Sequence, residues 1–463
     1  ASHRFARKSA FPLGTRVARG LLLTARMRSI LTGSMIAALA ACGATEAVDG
    51  GDNPFLADMN DDGKADSAYL NPDGAEVEID LEGDVAAPAY KLDDAPAVLG
   101  QFAMTYFRKS ETMYIESLAE DAGAGDRAEW LVDGTWYTNA TLPAGAARTH
   151  WRLRGLNTVL LFSAAKEAKV GLTYTAKAPM KPFSVFADAG KTCADSDDHI
   201  GLDESVYWYR WEPDQTSCKI ALQDLKVTVT KTFPRTQSAV YPEFDKLLAD
   251  KKMTAVILFG QIDDGAITET ETGMRSFKQY AGWLKAARYT EVTVPTGKRF
   301  EKLVNGNTVQ IDLYSPREFS GLGDYANFAN FQKALSEHEI VVWDGHSMLG
   351  ASDFWERPTY PDTYQIFLYG GCLGYEYYVK PILSGKGGSW DNLDIMSSVI
   401  EVTASANEFA GPAIAKLVWA LEHGNRASWR TVLTTVRNSV GDSTFGVSGV
   451  RDNCYSPYGS RCN

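Results

Sequence analysis

The feature that most constrains this chain is a set of short, wholly apolar runs bounded by turn residues. Ala255-Val256-Ile257-Leu258-Phe259-Gly260 is one, Ile340-Val341-Val342-Trp343 a second and Ile366-Phe367-Leu368-Tyr369 a third. A strand that alternates apolar and polar residues keeps one wet face. A strand with no polar position keeps none, and belongs inside a sheet covered on both sides, as parallel strands are. Between these runs, Met274, Phe277, Ala281 and Leu284 recur at the interval of one helix face, as do Phe328, Phe331 and Leu335. Val292 and Val294 mark a further strand, Asn305-Gly306 a tight hairpin turn, and Ile395 to Val402 a last strand. Helices are expected over Phe409–Leu421 and Trp429–Val440. Residues 240–450 therefore read as an α/β domain, a mainly parallel sheet flanked by helices.

Residues 76–235 have a different texture. Short alternating runs recur at Val77 to Leu81, Glu129 to Thr135, Val159 to Phe162 and Leu225 to Val229, separated by turn clusters such as Asp133-Gly134 and Pro143-Ala144-Gly145. This predicts a β-rich, sandwich-like domain N-terminal to the α/β domain. The dense aromatic run Val206-Tyr207-Trp208-Tyr209-Arg210-Trp211 suits sheet packing better than glycan or peptide binding. His150 and His199 lack metal-ligand spacing and read as structural.

The first 41 residues are of another kind. They carry seven Arg or Lys and no Asp or Glu, and an apolar run from Ile30 to Ala41 follows Arg26 and Arg28. That run is too short to span a bilayer, which takes roughly 20 apolar residues. A positive stretch, an apolar stretch and small residues before a cleavage point make a secretory signal, here placed at 27–41 within a leader of 1–41. Leu39-Ala40-Ala41-Cys42 resembles the bacterial lipobox, which implies cleavage before Cys42 and lipid on its sulfur. Export to the cell envelope and anchoring there by lipid alone are then expected.

Of the 46 basic residues, those seven leave with the leader, so 39 stand against 58 acidic ones, a net of −19. An acidic chain without a basic stripe is no nucleic-acid partner. The 45% apolar content argues against disorder and for well-filled cores. Residues 42–75 are rich in Gly, Asp and Asn and read as a flexible acidic linker. Within it, Asp58, Asn60, Asp62, Lys64 and Asp66 alternate around Gly63. Oxygen ligands at alternate positions with a turn glycine are how a short loop wraps Ca²⁺, and the segment resembles the calcium loops of dockerin and thrombospondin type-3 repeats. Tyr69 occupies the position of the closing Glu, which excludes a full EF-hand. A calcium loop and a merely solvated acidic stretch both fit.

Export changes how the six cysteines read, because oxidising compartments favour disulfides. With Cys42 taken by lipid, the natural pairs are Cys193–Cys218 and Cys454–Cys462, the latter closing a C-terminal tail at 451–463. Cys372 is left over. An odd thiol in an exported protein is either buried and inert or reactive.

Its surroundings favour the second. The run 340–343 passes directly into Asp344-Gly345-His346-Ser347, and 366–369 into Gly370-Gly371-Cys372-Leu373-Gly374. In parallel α/β sheets, functional groups gather beyond the carboxyl ends of strands, so neighbouring strands would deliver His346 and Cys372 side by side. An imidazole beside a thiol favours the thiolate, which is the nucleophile. The glycines permit close approach of a substrate backbone, and the N–H groups of Ser347, Gly371 and Leu373 are candidates to cradle an oxyanion. Asp344, Asp353 and Glu376 lie near the pair in sequence; they would suit a basic substrate side chain, or are simply solvated.

The arrangement resembles the caspase-like clan of cysteine peptidases, which takes in caspases, gingipains, separases and the bacterial CHAT proteins. In that clan one apolar strand ends in His-Gly and the next in Ala-Cys or Gly-Cys. Glu339 to His346 matches the first block and Gln365 to Cys372 the second, with 26 residues between His346 and Cys372. The likeness extends along about 250–450, where His423-Gly424-Asn425 and Gly441-Asp442-Ser443 are similar to the gingipain-type ending. It implies an endopeptidase with Cys372 as nucleophile and His346 as general acid and base, needing no cofactor for catalysis and acting on extracytoplasmic protein or peptide. Ser347 departs from the pattern: a glycine usually follows the histidine, and a side chain there crowds the site.

Two other readings compete. The segment 370–374 also fits the strand–nucleophile–helix elbow of α/β-hydrolases, with Cys372, Asp394 and His423 in chain order, resembling dienelactone hydrolases; a histidine at a helix end also has a capping role that needs no catalysis. A non-catalytic surface lipoprotein, binding a protein or glycan partner on a degenerate peptidase scaffold, is the second.

Overall fold

The computed structural model of the chain describes residues 69–462, apart from 72–73, 111, 116–126, 185–191, 194–210, 234–238, 348–351, 373, 400–408, 441–444 and 451–452. The leader, Cys42 and the candidate calcium loop at Asp58, Asn60, Asp62, Lys64 and Asp66 lie outside the described residues. So do His199, residues 206–210, Leu373 and Gly441-Asp442-Ser443.

After a two-residue strand β1 (Tyr69–Leu70), the chain forms β2 (Gly74–Asp84), helix α1 (Ala95–Lys109), β3 (Met113–Ile115), β4 (Ala128–Val132), β5 (Thr135–Thr138), β6 (His150–Leu161), β7 (Thr173–Pro179) and β8 (Leu222–Thr232). Strands β2 to β8 make one antiparallel sheet in the order β5-β4-β6-β2-β8-β7, with β3 added alongside β6. The period-2 pattern works as the sequence predicts. Val77, Ile79 and Leu81 are fully buried. Between them Glu78 and Asp80, with Glu82 beyond, face outward and meet Lys231, Arg154 and Lys226.

The sandwich expectation is not met. Among the described residues a single sheet forms, and the layer against it is helix α1, which buries Leu99, Phe102, Ala103 and Phe107 in the sheet's core. The apolar residues of 95–109 lie on much of the helix circumference, so no clean stripe announces it. Its signals were at the ends: Pro96 in the first turn and Arg108-Lys109 in the last. Trp211, last of the aromatic run, is fully buried edge-on to Phe102 at 4.8 Å, with its indole N–H on the Lys177 carbonyl. His150 pairs with Asp84 at 2.7 Å, in keeping with a structural role.

The second half contains β9 (Lys252–Phe259), α2 (Thr272–Ala286), β10 (Thr290–Val292), β11 (Lys298–Val304), β12 (Asn307–Tyr314), α3 (Phe328–Glu337), β13 (Ile340–Asp344), β14 (Gln365–Tyr369), α4 (Gly374–Tyr377), α5 (Val379–Gly385), β15 (Leu393–Ser398), α6 (Ala410–Glu422), α7 (Trp429–Val440) and β16 (Phe445–Ser448). The sheet order is β1-β16-β15-β14-β13-β9-β12-β11-β10. Strands β15, β14, β13, β9 and β12 are mutually parallel, while β10, β11, β16 and β1 add antiparallel edges. Asn305 and Gly306 take φ of 47° and 82° in the two-residue turn between β11 and β12, as an Asn-Gly hairpin requires. The strand expected around Val292 and Val294 is only the short edge strand β10, which ends at Val292. Tyr69–Leu70, read as part of the linker 42–75, is the outermost strand of this sheet, and β2 already begins within those bounds at Gly74.

Each parallel strand divides its apolar residues between two cores. Ile257, Val342 and Leu368 face helices α2, α6 and α7. Val256, Leu258, Val341, Trp343, Phe367 and Tyr369 face the other way, towards α3, α4 and α5. That second core also takes in Tyr114, Val159 and Leu161 from β3 and β6, so the smaller sheet packs on the larger one. The two expected disulfides are present, with Cα atoms 4.5 Å apart at Cys193–Cys218 and 5.0 Å at Cys454–Cys462. Among the described residues, no helix is long and apolar enough to cross a membrane.

Candidate functional site

Numbering the parallel strands in chain order, β9 is first, β12 second and β13 third, and β9 lies between the other two. The connection leaves β9 on one side and later returns to its other side. This is a topological switch point, the place beyond the carboxyl ends of the strands where open α/β sheets in general bind their ligands. Three loops meet at this edge: the one after β9, the one after β13 that bears His346, and the one after β14 that bears Cys372.

The last paired residues of β13 and β14 are Trp343 and Tyr369, directly opposite each other. One residue on, the ladder continues through the Gly370 N–H on the Trp343 carbonyl at 2.9 Å. Gly345 and Gly371 follow, and then His346 and Cys372. His346 and Cys372 thus each stand three residues beyond one register pair.

Packing explains the glycines around the pair. The Trp343 indole folds over Gly260 and Gly345, where an added Cβ would lie 2.8 Å and 2.5 Å from its ring. The same indole N–H donates to the His346 carbonyl at 3.2 Å, fixing the turn. A Cβ on Gly370 would sit 2.1 Å from the Phe409 ring, and one on Gly371 or Gly374 2.7 Å or 2.6 Å from the Tyr369 ring. Aromatic packing therefore demands these glycines whether or not a substrate backbone approaches them.

His346 is exposed, and its Nε2 lies 3.0 Å from the carbonyl oxygen of Ile262 in the loop after β9. A carbonyl only accepts, so Nε2 carries the proton and the neutral ring keeps its lone pair on Nδ1. Cys372 is half-buried against the Trp343–Tyr369 core and belongs to neither disulfide. Ser347 is buried, and its carbonyl accepts a hydrogen bond from Tyr378, whose ring stacks on Tyr369 at 4.2 Å. Tyr378 thereby ties the histidine loop to the segment that follows the cysteine. Gly371 is buried at the head of that segment. Asp344 is 4% exposed, and its carbonyl accepts from the Gly260 N–H at 2.7 Å, so it is strand core rather than a solvated pocket charge. The side chains of Asp353 and Glu376 are not among those described.

The elbow constellation does not assemble. Asp394 pairs in register with Ile366, at the amino end of the strands. Cys372 lies six residues further on, about 20 Å at the usual strand rise. Asp394 is fully buried, and its Oδ2 accepts from Tyr364 Oη (2.6 Å), Trp429 Nε1 (2.8 Å) and Asn453 Nδ2 (2.7 Å). Burial pushes its carboxyl up to about 7, against those hydrogen bonds. His423 caps α6: Nδ1 meets the Trp419 carbonyl at 2.7 Å and the ring stacks on Trp419. The neighbouring Leu421 carbonyl is bonded by Asn305 in the β11–β12 turn, which marks the amino edge of the parallel strands. His423 and Cys372 are thus at opposite edges of the sheet. The elbow alternative placed His423 beside Cys372, and chain order says nothing about which edge a helix end reaches; the capping role also expected for His423 is the one observed.

Two participants escaped the sequence. Ile262 supplies the carbonyl that holds His346, and Glu271 shapes the loop that carries it. Glu271 is 3% exposed. Its Oε2 accepts the Met274 N–H at 2.8 Å as the cap of α2, and its Oε1 accepts the N–H groups of Ile262 (2.7 Å) and Asp263 (3.2 Å). Burial disfavours the charge on Glu271, but these backbone donors outweigh it and hold the carboxyl below its usual range. The available signal was the one already used for the other loops: residues 261–271 also follow the carboxyl end of an apolar strand.

Comparison with known protein families, with curated proteins and with solved structures finds no match to this chain.

Proposed function

We propose that the chain is an exported, lipid-anchored cysteine endopeptidase of the caspase-like clan, with Cys372 as nucleophile and His346 as general acid and base. One observation carries this reading. His346 and Cys372 follow the same register pair on adjacent parallel strands, beside a switch point, with the imidazole Nε2 already committed to Ile262. Nδ1 is then the nitrogen left for the thiol proton. The thiolate attacks the scissile carbonyl carbon, forming a C–S bond while the π pair moves to oxygen. Backbone N–H groups of Ser347, Gly371 and Leu373 are the donors proposed for that oxygen. Collapse breaks the C–N bond, and the departing nitrogen takes the proton from the imidazolium. A water deprotonated by Nδ1 then hydrolyses the thioester and restores the thiol.

The two disulfides agree with an oxidising compartment. Lipid on Cys42 would confine the enzyme to the envelope and its substrates to extracytoplasmic protein or peptide. The deciding experiment is a peptide library incubated with wild type and with Cys372→Ala. Cleavage by wild type alone is expected, and identical products from both would sink the peptidase reading. Incorporation of a fatty-acid analogue, lost in Cys42→Ser, tests the anchor.

A further inference from the structure

We propose that Glu271 is a positioning residue for His346, acting through the peptide group that joins Ile262 to Asp263; this rests on the His346–Cys372 reading. The N–H and C=O of that one peptide unit are engaged at opposite ends. The Asp263 N–H donates to Glu271 Oε1 at 3.2 Å, and the Ile262 carbonyl accepts from His346 Nε2 at 3.0 Å. Carboxylate, peptide and imidazole form one hydrogen-bonded chain. A peptide that donates to a carboxylate becomes a better acceptor at its oxygen, because hydrogen bonds in series polarise one another. The carboxylate thereby does at one remove what it does when bonded directly to a catalytic histidine: it fixes the tautomer and favours the imidazolium.

A helix cap alone does not account for this residue. Capping α2 uses Oε2 only, and a shorter Asp, Asn or Ser is the usual choice. The longer Glu reaches back with Oε1 to the two N–H groups that orient the Ile262 carbonyl. The other acidic groups of this loop are differently placed. Asp263 is exposed and accepts from the Thr272 N–H (2.9 Å) and hydroxyl (2.8 Å), Glu269 is exposed and pairs with Lys278 and Arg317, and Asp264 is exposed. On β13, Asp344 is buried beneath the loop.

The test follows the rate of Cys372 alkylation by iodoacetamide in the folded protein from pH 5 to 9, which needs no substrate. Glu271→Gln is expected to move the acid limb up by about half to one pH unit, a roughly 3- to 10-fold slower reaction at pH 6, with the pH 9 rate preserved. Asp264→Asn is expected to leave the profile in place. A residue that only caps the helix would lower Tm and leave the acid limb where it was; that result, or an equal shift in Asp264→Asn, overturns the proposal. His346→Ala separates the two readings. If it too leaves the wild-type profile unchanged, the dyad itself fails; if it shifts the profile and Glu271→Gln does not, only the role of Glu271 fails. Should Glu271→Gln not fold, long-range ¹H–¹⁵N spectra of histidine-labelled wild type still decide. Nε2-protonated His346 at neutral pH supports the relay, and the Nδ1-protonated form overturns it.

Discussion

His346 and Cys372 each stand three residues beyond one register pair, Trp343 opposite Tyr369, on parallel strands whose ladder closes with the Gly370 N–H on the Trp343 carbonyl. His423 has no such relation to Cys372, since it stacks on Trp419 at the opposite edge of the sheet. His346→Ala should therefore cut kcat/KM on any cleaved peptide by about 10²–10⁴-fold, the usual contribution of a general acid and base. His423→Ala should leave it within about two-fold, a mutation outside the site having no transition-state contact to remove. Steady-state kinetics of both variants decides the matter, and a reversed pattern would return the elbow model.

Gly370 is held to its identity by the Phe409 ring, which occupies the space where a Cβ would go. Gly370→Ala should destabilise the fold by about 1–3 kcal/mol, the usual cost of forcing a methyl into a packed core. Because the strain falls two residues before Cys372, peptide cleavage should drop as well. Phe409→Leu in the same chain should recover part of both losses. Urea unfolding and a single-peptide assay read the two effects.

What was legible in the sequence follows from what the strands bury. Strands β9, β13 and β14 announced themselves because both of their faces are covered, so the stretches 255–259, 340–343 and 366–369 carry no polar residue. Helices α2 and α3 were legible because one stripe is buried and the rest is wet. Helix α1 was not, since Thr105 and Gly100 are buried along with its large apolar residues and the stripe broadens into a band. The His346–Cys372 pair could be anticipated because β13 and β14 are neighbours in both chain and sheet. The Ile262–His346 bond could not. It depends on β9 lying beside β13 rather than beside its chain successor alone, which only the strand order reveals.

Asp394 gives the fold a pH dependence of known sign. In the unfolded chain its carboxyl titrates near 3.8, whereas burial raises it to about 7 in the folded protein. Protonated Asp394 is thus the form the fold prefers. Its contribution is full below about pH 4 and is lost as the pH rises from there through about 7, a difference on the order of 4 kcal/mol at most. Glu339 is also raised to about 7 by burial, so the two overlap in a bare stability profile. The difference between wild type and Asp394→Asn isolates the first. An amide mimics the neutral acid while still offering an oxygen to Tyr364, Trp429 and Asn453. Asp394→Asn should match wild type near pH 3.5, begin to exceed it above about pH 4 and exceed it most near pH 8 in urea denaturation. A variant less stable at both ends of that range would show that the carboxylate is ionised and well solvated by its three donors.

Asn157 on β6 reaches across to the segment that follows the nucleophile. Its Nδ2 donates to Tyr375 Oη at 2.7 Å and to Glu76 Oε1 at 2.9 Å, using both amide hydrogens. Tyr375 lies three residues after Cys372, in a core shared with Tyr114, Val159 and Leu161 of the smaller sheet. The smaller sheet therefore bears directly on the loop whose N–H groups are proposed to hold the oxyanion. Tyr375→Phe deletes one acceptor while keeping the ring in place, and should cost about 1 kcal/mol of stability, the net worth of one hydrogen bond. If the contact sets the height of that loop, kcat should fall several-fold with KM little changed, because the oxyanion forms only in the transition state. Lys231→Ala, which removes an ion pair on the outward face of the same sheet, should alter neither kcat nor KM. A Tyr375→Phe enzyme with full kcat and a lowered Tm would mean that the smaller sheet props up the fold without reaching the chemistry.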